Sequence, residues 1–77
     1  MKKNYKVLVV SDGLNYRAMP VMSENILGLC WMYGHKAQSI ILYANNGKWK
    51  DGRYLNATPL KKAKWNNEER IYEEVSL

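Results

Sequence analysis

The segment YKVLVVSDGLNYRAMPV, residues 5–21, predicts a β-hairpin. Its first strand contains four consecutive apolar residues and therefore has no polar face, which is typical of a strand that is covered on both sides or lies inside its sheet. The Asp12-Gly13 pair favours a tight turn, because both residue types tolerate positive φ. The returning strand, 16–21, contains Pro20, which has no N–H for a sheet ladder. We therefore predict that this strand lies at a sheet edge or stops pairing at the proline.

A single helix is predicted over residues 24–33. Ser23 is a favourable N-cap, Glu24 would lie in the first turn near the positive end of the helix dipole, and Gly34 is typical of the residue that ends a helix. At 100° per residue, one apolar stripe forms, and its members are Ile26, Leu29, Cys30 and Tyr33. The opposite side is also nearly uncharged, so the helix lacks the polar face of an ordinary surface helix.

Two further strands are predicted after the helix, at 39–44 and 53–57. Turn signals at 45–47 (Asn-Asn-Gly) and 51–52 (Asp-Gly) lie between them, only a few residues apart, and favour a projecting hairpin or loop. The remainder is ambiguous. Residues 58–65 fit either a short helix or a break in the sheet, and residues from 66 onward fit both helical and alternating spacing.

These elements predict one α+β domain over residues 1–77: a two-layer sandwich with an N-terminal β-hairpin and one helix packed on an antiparallel sheet of three to four strands. A chain of 77 residues with 47% apolar content supports one modest core. The residues expected to be buried in it are Val7, Val9, Ile26, Leu29, Cys30, Ile40 and Leu42.

The sequence offers little for catalysis or for metal binding. Cys30, the only cysteine, cannot form an internal disulfide, and His35, the only histidine, has no companions at zinc-ligand spacing. Cys30 also falls inside the apolar stripe, which disfavours a reactive thiolate. The carboxylates are dispersed over turns, a helix start and the tail, and no phosphate-binding glycine loop is present. We therefore expect no enzyme activity, no metal and no cofactor.

A membrane location is not expected. The longest apolar runs are far shorter than the ~20 residues that span a bilayer. The first residues, Met-Lys-Lys, carry the charge of a secretory signal, but the four apolar residues after them are fewer than the roughly 7 to 15 that such a signal needs. We therefore expect a cytoplasmic protein.

The net charge of +5 is unevenly distributed. Residues 1–65 carry eleven basic and three acidic side chains, whereas residues 66–77 carry four glutamates and one arginine. A basic body with an acidic tail favours a polyanionic partner, either nucleic acid or an acidic protein face. The alternative is a surface whose charge serves solubility only.

The strongest candidate binding segment lies between residues 48 and 65, where six basic residues and one acidic residue are interleaved with three aromatic residues. Such residues combine phosphate attraction with flat surfaces for base stacking. The members are Lys48, Trp49, Lys50, Arg53, Tyr54, Lys61, Lys62, Lys64 and Trp65. If the fourth strand lies beside the third, the six cations form one positive surface with the tail glutamates outside it. The alternative is that the three aromatic residues belong to the core of a chain without phenylalanine.

The outward side of the helix is a second candidate surface. Trp31 and Met32, next to Gly28, would form an exposed apolar patch that contacts a copy of the chain or another protein. The alternative is that the C-terminal segment folds over this side and makes it part of the core.

The order of elements over residues 5–44, from strand through a capped helix into a second apolar strand, resembles that of small phage-encoded proteins that bind a host machine and block or redirect it. The resemblance implies a non-catalytic regulator and assigns no functional residue. The leading hypothesis is a phage or mobile-element protein that docks its basic aromatic surface on a host protein or nucleoprotein complex of nucleic-acid processing or defence. One alternative is direct binding of single-stranded nucleic acid, and another is a structural subunit that forms homo-oligomers through the helix.

Overall fold

The computed structural model describes residues 5–33 and 37–77, which contain seven strands and one helix. In chain order, the elements are β1 (Lys6–Ser11), β2 (Tyr16–Val21), α1 (Ile26–Tyr33), β3 (Ser39–Tyr43), β4 (Lys48–Lys50), β5 (Arg53–Leu55), β6 (Pro59–Asn66) and β7 (Ile71–Val75). This content confirms the predicted α+β class.

Five strands form one antiparallel sheet in the order β2-β1-β3-β6-β7, and β4 pairs with β5 in a separate two-stranded sheet. The predicted sheet of three to four strands was therefore too small. The layering also differs from a two-layer sandwich, because apolar side chains are buried on both faces of the five-stranded sheet. Helix α1 lies on one face and the β4–β5 hairpin lies on the other. Below, these are called the helix side and the hairpin side of the sheet.

The central position of β1 explains its uninterrupted apolar run. It pairs with β2 on one flank and β3 on the other. Leu8 and Val10 are buried with the helix, whereas Val7 and Val9 are buried beneath Tyr54 of the hairpin. The prediction that this strand is interior to its sheet and covered on both sides is confirmed.

All seven residues predicted to form the core are buried, but they belong to two clusters. The helix-side cluster contains five of them, Ile26, Leu29, Cys30, Ile40 and Leu42, together with Leu8, Val10, Val21, Ala37, Ala63 and Tyr72. The other two, Val7 and Val9, belong to the smaller hairpin-side cluster. Alternate residues of a strand point to opposite faces, so the pair of valines faces away from the helix.

Helix α1 begins two residues later than predicted, because Asn25 rather than Ser23 is its N-cap. The Asn25 carbonyl accepts the Leu29 N–H at 3.0 Å, and its side-chain Oδ1 accepts the Gly28 N–H at 3.4 Å. The Ser23 hydroxyl accepts the Asn25 N–H at 3.0 Å and so supports the cap. Glu24 precedes the helix and pairs with Lys6 at 3.6 Å. The predicted helix-ending Gly34 lies outside the described residues, as does His35.

The segment that the sequence left open, from residue 58 onward, forms β6 and β7. Ala63 and Tyr72 are buried on the helix side, and Trp65 packs against the same cluster. Strand β6, not β5, lies beside β3. The arrangement that would bring the six cations together, with the fourth strand beside the third, is therefore not formed, because β5 pairs with β4 instead.

Candidate binding surfaces

The β4–β5 hairpin is built on a two-residue turn at Asp51 and Gly52, as the sequence predicted. Both residues have positive φ, 53° and 75°, the combination found in the tight turns of two-residue hairpins. The register pairs Trp49 with Tyr54 and Lys50 with Arg53. The hairpin therefore presents its aromatic residues on one face and its basic residues on the other.

Tyr54 attaches the hairpin to the sheet. Its side chain is buried against Val7 and Val9, and its ring lies 5.9 Å from that of Tyr43. The Tyr54 hydroxyl donates to the Ala44 carbonyl at 3.1 Å and accepts the Gly47 N–H at 2.8 Å. Tyr54 is therefore a structural anchor, and its ring is not available for base stacking.

The outer face of the hairpin is strongly positive. Lys48, Lys50 and Arg53 are all exposed. The Arg53 guanidinium lies 5.0 Å from the centre of the Tyr16 ring on β2, a cation–π contact that holds the hairpin to the far edge of the sheet. Trp49 is 57% exposed and lies 5.1 Å from the Tyr54 ring. Below, β4 and β5 with Lys48, Trp49, Lys50 and Arg53 are called the basic hairpin.

The three lysines of β6 do not form one group. Lys62 and Lys64 lie on the hairpin side of the sheet by strand alternation, whereas Lys61 lies on the helix side with Ala63. Lys64 is paired in register with Glu73 of β7, so the acidic tail is not outside the positive region as predicted. In the basic hairpin, Asp51 is the only acidic residue.

Trp65 contributes to the core rather than to an exposed platform. It is half-buried, packs against the helix-side cluster, and its ring lies 4.8 Å from that of Tyr72 at an angle of 67°. Of the three aromatic residues proposed for stacking, only Trp49 is well exposed. For Tyr54 and Trp65, the alternative of a structural role describes their positions better.

The outward side of α1 is exposed and apolar. Trp31 is 65% exposed and Met32 is 69% exposed. The C-terminal segment does not cover them, because it forms β7 at the edge of the sheet, where Tyr72 makes an edge contact of 5.9 Å with Trp31. Leu27 and Met22 are exposed nearby along the chain. Below, these four residues are called the helix patch.

Two contributors were missed in the sequence. Tyr16 contacts Arg53 only because the hairpin folds across the sheet. The two residues are far apart in the sequence, so the residues around either one do not indicate the contact. Met22 lies just before the helix and belongs to neither the strand pattern nor the helical apolar stripe. An apolar residue outside both patterns is a signal that could have identified it.

Two of the groups considered for catalysis, Cys30 and Asp12, are held in structural positions. Cys30 is fully buried, and burial raises the pKa of its thiol to about 11. The pKa of the Asp12 carboxyl is lowered by hydrogen bonds from the Asn15 and Leu14 backbone N–H groups, which hold it in the β1–β2 turn. Across residues 5–33 and 37–77, no group of three or more His, Cys, Asp or Glu side chains is placed to hold a metal ion.

No family model, curated protein or solved structure matches this chain. No helix in the described ranges has the length and apolar content needed to cross a bilayer. Function is therefore inferred from the basic hairpin and the helix patch themselves.

Proposed function

We propose that this chain is a small binding protein without catalytic activity, of phage or mobile-element origin, that docks through its basic hairpin on an acidic protein surface. The partner belongs to a host machine of nucleic-acid processing or defence, which stoichiometric docking inhibits or redirects. The observation that carries the proposal is a β-hairpin, packed on one face of the sheet, with three exposed cations and one exposed tryptophan.

The charges of the hairpin are not neutralised within the fold. Among the described residues, the one ion pair joins Lys6 to Glu24, away from the hairpin. Asp51, at the turn, is the only acidic residue of the segment against Lys48, Lys50 and Arg53. A positively charged surface of this kind raises the association rate with a negatively charged partner surface and favours one orientation of docking.

The hairpin is also held in place before binding. Tyr54 fixes its base through two hydrogen bonds and the buried ring, and Arg53 lies on Tyr16 of the neighbouring layer. Ordering a loop on binding costs affinity, so a hairpin that is already ordered favours tight docking. Trp49 lies on the aromatic face of the hairpin, opposite the three cations, and its ring, 57% exposed, offers a large apolar contact at the margin of the positive surface.

Direct binding of single-stranded nucleic acid is the second candidate, because Trp49 between two lysines also suits base stacking. Single-strand binders combine a positive groove with several successive platforms. Here only one of the three predicted platforms is well exposed, since Tyr54 is buried and Trp65 is half-buried. The geometry therefore favours a protein partner.

The test is capture from host lysate by the full chain, with and without nuclease. Two variants of equal charge are compared with the wild type: Lys48→Gln/Lys50→Gln in the hairpin and Arg17→Gln/Lys61→Gln outside it. Arg53 is left unchanged because it also holds the hairpin to Tyr16. We expect one protein to be retained at a fixed ratio after nuclease treatment by the wild type and by the Arg17/Lys61 variant, and to be lost from the hairpin variant.

Two results would overturn the proposed partner class. Loss of all retained material on nuclease treatment, with oligonucleotide binding by the pure chain, would favour the single-strand alternative. Equal capture by both variants would show that the hairpin cations are not the docking surface.

A further inference from the structure

Helix α1 is unusual because it is apolar on its outer side as well as its inner side. Its sequence, ILGLCWMY, contains no charged residue. Ile26, Leu29 and Cys30 are buried on the sheet, while Leu27, Trp31 and Met32 remain exposed. A helix that is apolar all round is normally buried on all sides. The helix patch is therefore an exposed surface made of residue types that are normally found in a protein core.

Trp31 is held in a defined position on this surface. Its ring makes a perpendicular contact with Tyr72, whose own ring packs against Trp65 in the core. Trp31 nevertheless keeps 65% of its surface exposed. A large aromatic side chain that is positioned before binding loses little conformational entropy on contact and is a common energetic centre of interfaces.

A groove of about 650 Å³ lies next to this protrusion, on the other flank of the helix. It is lined mainly by Tyr5, Pro20, Val21, Met22, Leu29 and Met32. On the helix, Trp31 and Met32 project on either side of Gly28, and the Asn25 side chain lies over Gly28, where its Oδ1 accepts the Gly28 N–H at 3.4 Å. The exposed side of the helix thus has a protruding ring on one flank and an apolar recess on the other, and the recess reaches the β1–β2 edge of the sheet at Tyr5 and Pro20.

We infer that the helix patch binds a second copy of this chain in a two-fold symmetric dimer. Such an interface uses the same surface on both subunits, so it requires a protrusion and a matching recess on one face, as found here. Trp31 of each copy enters the groove of the other, and the two helices cross between these contacts.

The charge distribution leaves the helix patch free to contact a second copy. Each chain carries a net charge of +5, and two copies repel unless their basic parts are kept apart. The helix patch is uncharged and lies on the opposite face of the sheet from the basic hairpin. Contact through the patch therefore directs the two hairpins away from each other.

The size of the patch sets the expected strength. Its four side chains expose about 500 Å² of apolar surface, taking roughly 200 Å² for each when fully exposed. With the groove walls, two copies bury an area at the low end of specific interfaces, about 1,200 Å² in total. We therefore expect a reversible dimer with a dissociation constant of about 10 μM or weaker. This inference does not depend on the proposed function.

The test is sedimentation velocity of the full chain over a concentration series. The wild type is expected to shift from monomer to dimer, and Trp31→Ser to weaken dimerisation by at least about tenfold. The matched control is Trp49→Ser, which removes an exposed tryptophan from the hairpin and should leave dimerisation unchanged. If Trp31→Ser unfolds because its contact with Tyr72 is lost, Met32→Glu tests the same interface, with Leu14→Glu as its control in an exposed turn.

The salt dependence of dimerisation distinguishes an apolar interface from an association driven by charge. A contact through the helix patch should persist at high salt, because apolar burial is not screened. The inference is overturned if the wild type remains monomeric throughout, if folded Trp31 and Met32 variants dimerise like the wild type, or if salt dissolves the dimer. Binding of an apolar dye to the groove without dimerisation would also overturn it, by showing a recess that accepts small molecules but not a second copy.

Discussion

The two faces of the five-stranded sheet are covered in different ways. On the helix side, one cluster contains eleven buried residues, with Met19, Leu60 and Trp65 packed against it. On the hairpin side, the cluster contains only three buried residues, Val7, Val9 and Tyr54. The larger cluster is continuous across the sheet and helix. The smaller one has Tyr54 as its only buried residue from the hairpin, and the partly buried residues packed against it are Tyr5, Ala18, Tyr43 and Ala57.

This difference separates the part of the molecule that specifies the fold from the part proposed to bind. Stability grows with apolar area buried, so the helix side contributes most of it. The basic hairpin adds little buried area, and its exposed positions accept charge without a desolvation cost. Substitutions on the two sides should therefore have different consequences, and the following predictions test that separation.

The largest effect is expected from Leu29→Ala on the helix side. Removing a buried leucine side chain costs about 2–5 kcal/mol through lost burial and the remaining cavity, which is much of the stability of a domain this small. Leu27→Ala is the matched control, since Leu27 lies on the same helix and is exposed. Thermal unfolding measures both. Equal melting temperatures for the two variants would contradict the assignment of the main core to the helix side.

A pH-dependent loss of stability is expected from Cys30 in the same cluster. Burial raises the pKa of its thiol from 9.0 to about 11. Between these values the folded chain retains a proton that the unfolded chain has lost, so the free energy of unfolding falls as pH rises, by roughly 2–3 kcal/mol over that range. At pH below 9 the contribution is fully present.

The measurement is denaturant unfolding of the wild type and Cys30→Ala from neutral pH to pH 11. Every other titratable group is common to the two proteins, so the difference between the two profiles isolates the thiol. The profiles should converge as pH rises, because the wild type loses stability that the variant does not have. Parallel profiles would show that Cys30 is not buried as described.

A smaller and more local effect is expected from Tyr54→Phe on the hairpin side. The variant keeps the buried ring but removes the partner of the Gly47 N–H and the Ala44 carbonyl, at a cost of about 1–2 kcal/mol. Hydrogen exchange at the Gly47 amide should accelerate while amides of β1 change less. Tyr16→Phe is the control, because it keeps the ring under Arg53. If exchange accelerates equally throughout the sheet, the hairpin is not a separable layer.

The elements predicted most accurately from the sequence are those whose position in the fold follows from their own residues. Four consecutive apolar residues placed β1 inside the sheet, and the glycine at residue 52 marked the hairpin turn. Both signals are short-range, because one is the absence of a polar face and the other is a backbone conformation that glycine favours.

The C-terminal strands were not predictable in this way. The pairing of β3 with β6 shifts register between Leu42 and Tyr43, and the bulge interrupts the alternation that identifies a strand. In β7, Tyr72 is buried and Ile71 is exposed because of pairing with β6, a partner that local sequence does not indicate. The prediction of the binding residues was limited in the same way, since composition alone does not distinguish an exposed Trp49 from a buried Tyr54.

The central claim is that the cations of the basic hairpin carry the contact with an acidic partner while contributing little to the fold. The most direct measurement is the affinity for the captured partner across a salt series, for wild type, Lys48→Gln/Lys50→Gln and Arg17→Gln/Lys61→Gln. The free energies of unfolding should differ by less than about 0.5 kcal/mol, because all four positions are at least partly exposed. We predict weaker binding and a flatter salt dependence for the hairpin variant alone. Equal affinities and equal salt slopes for the two variants would contradict the claim.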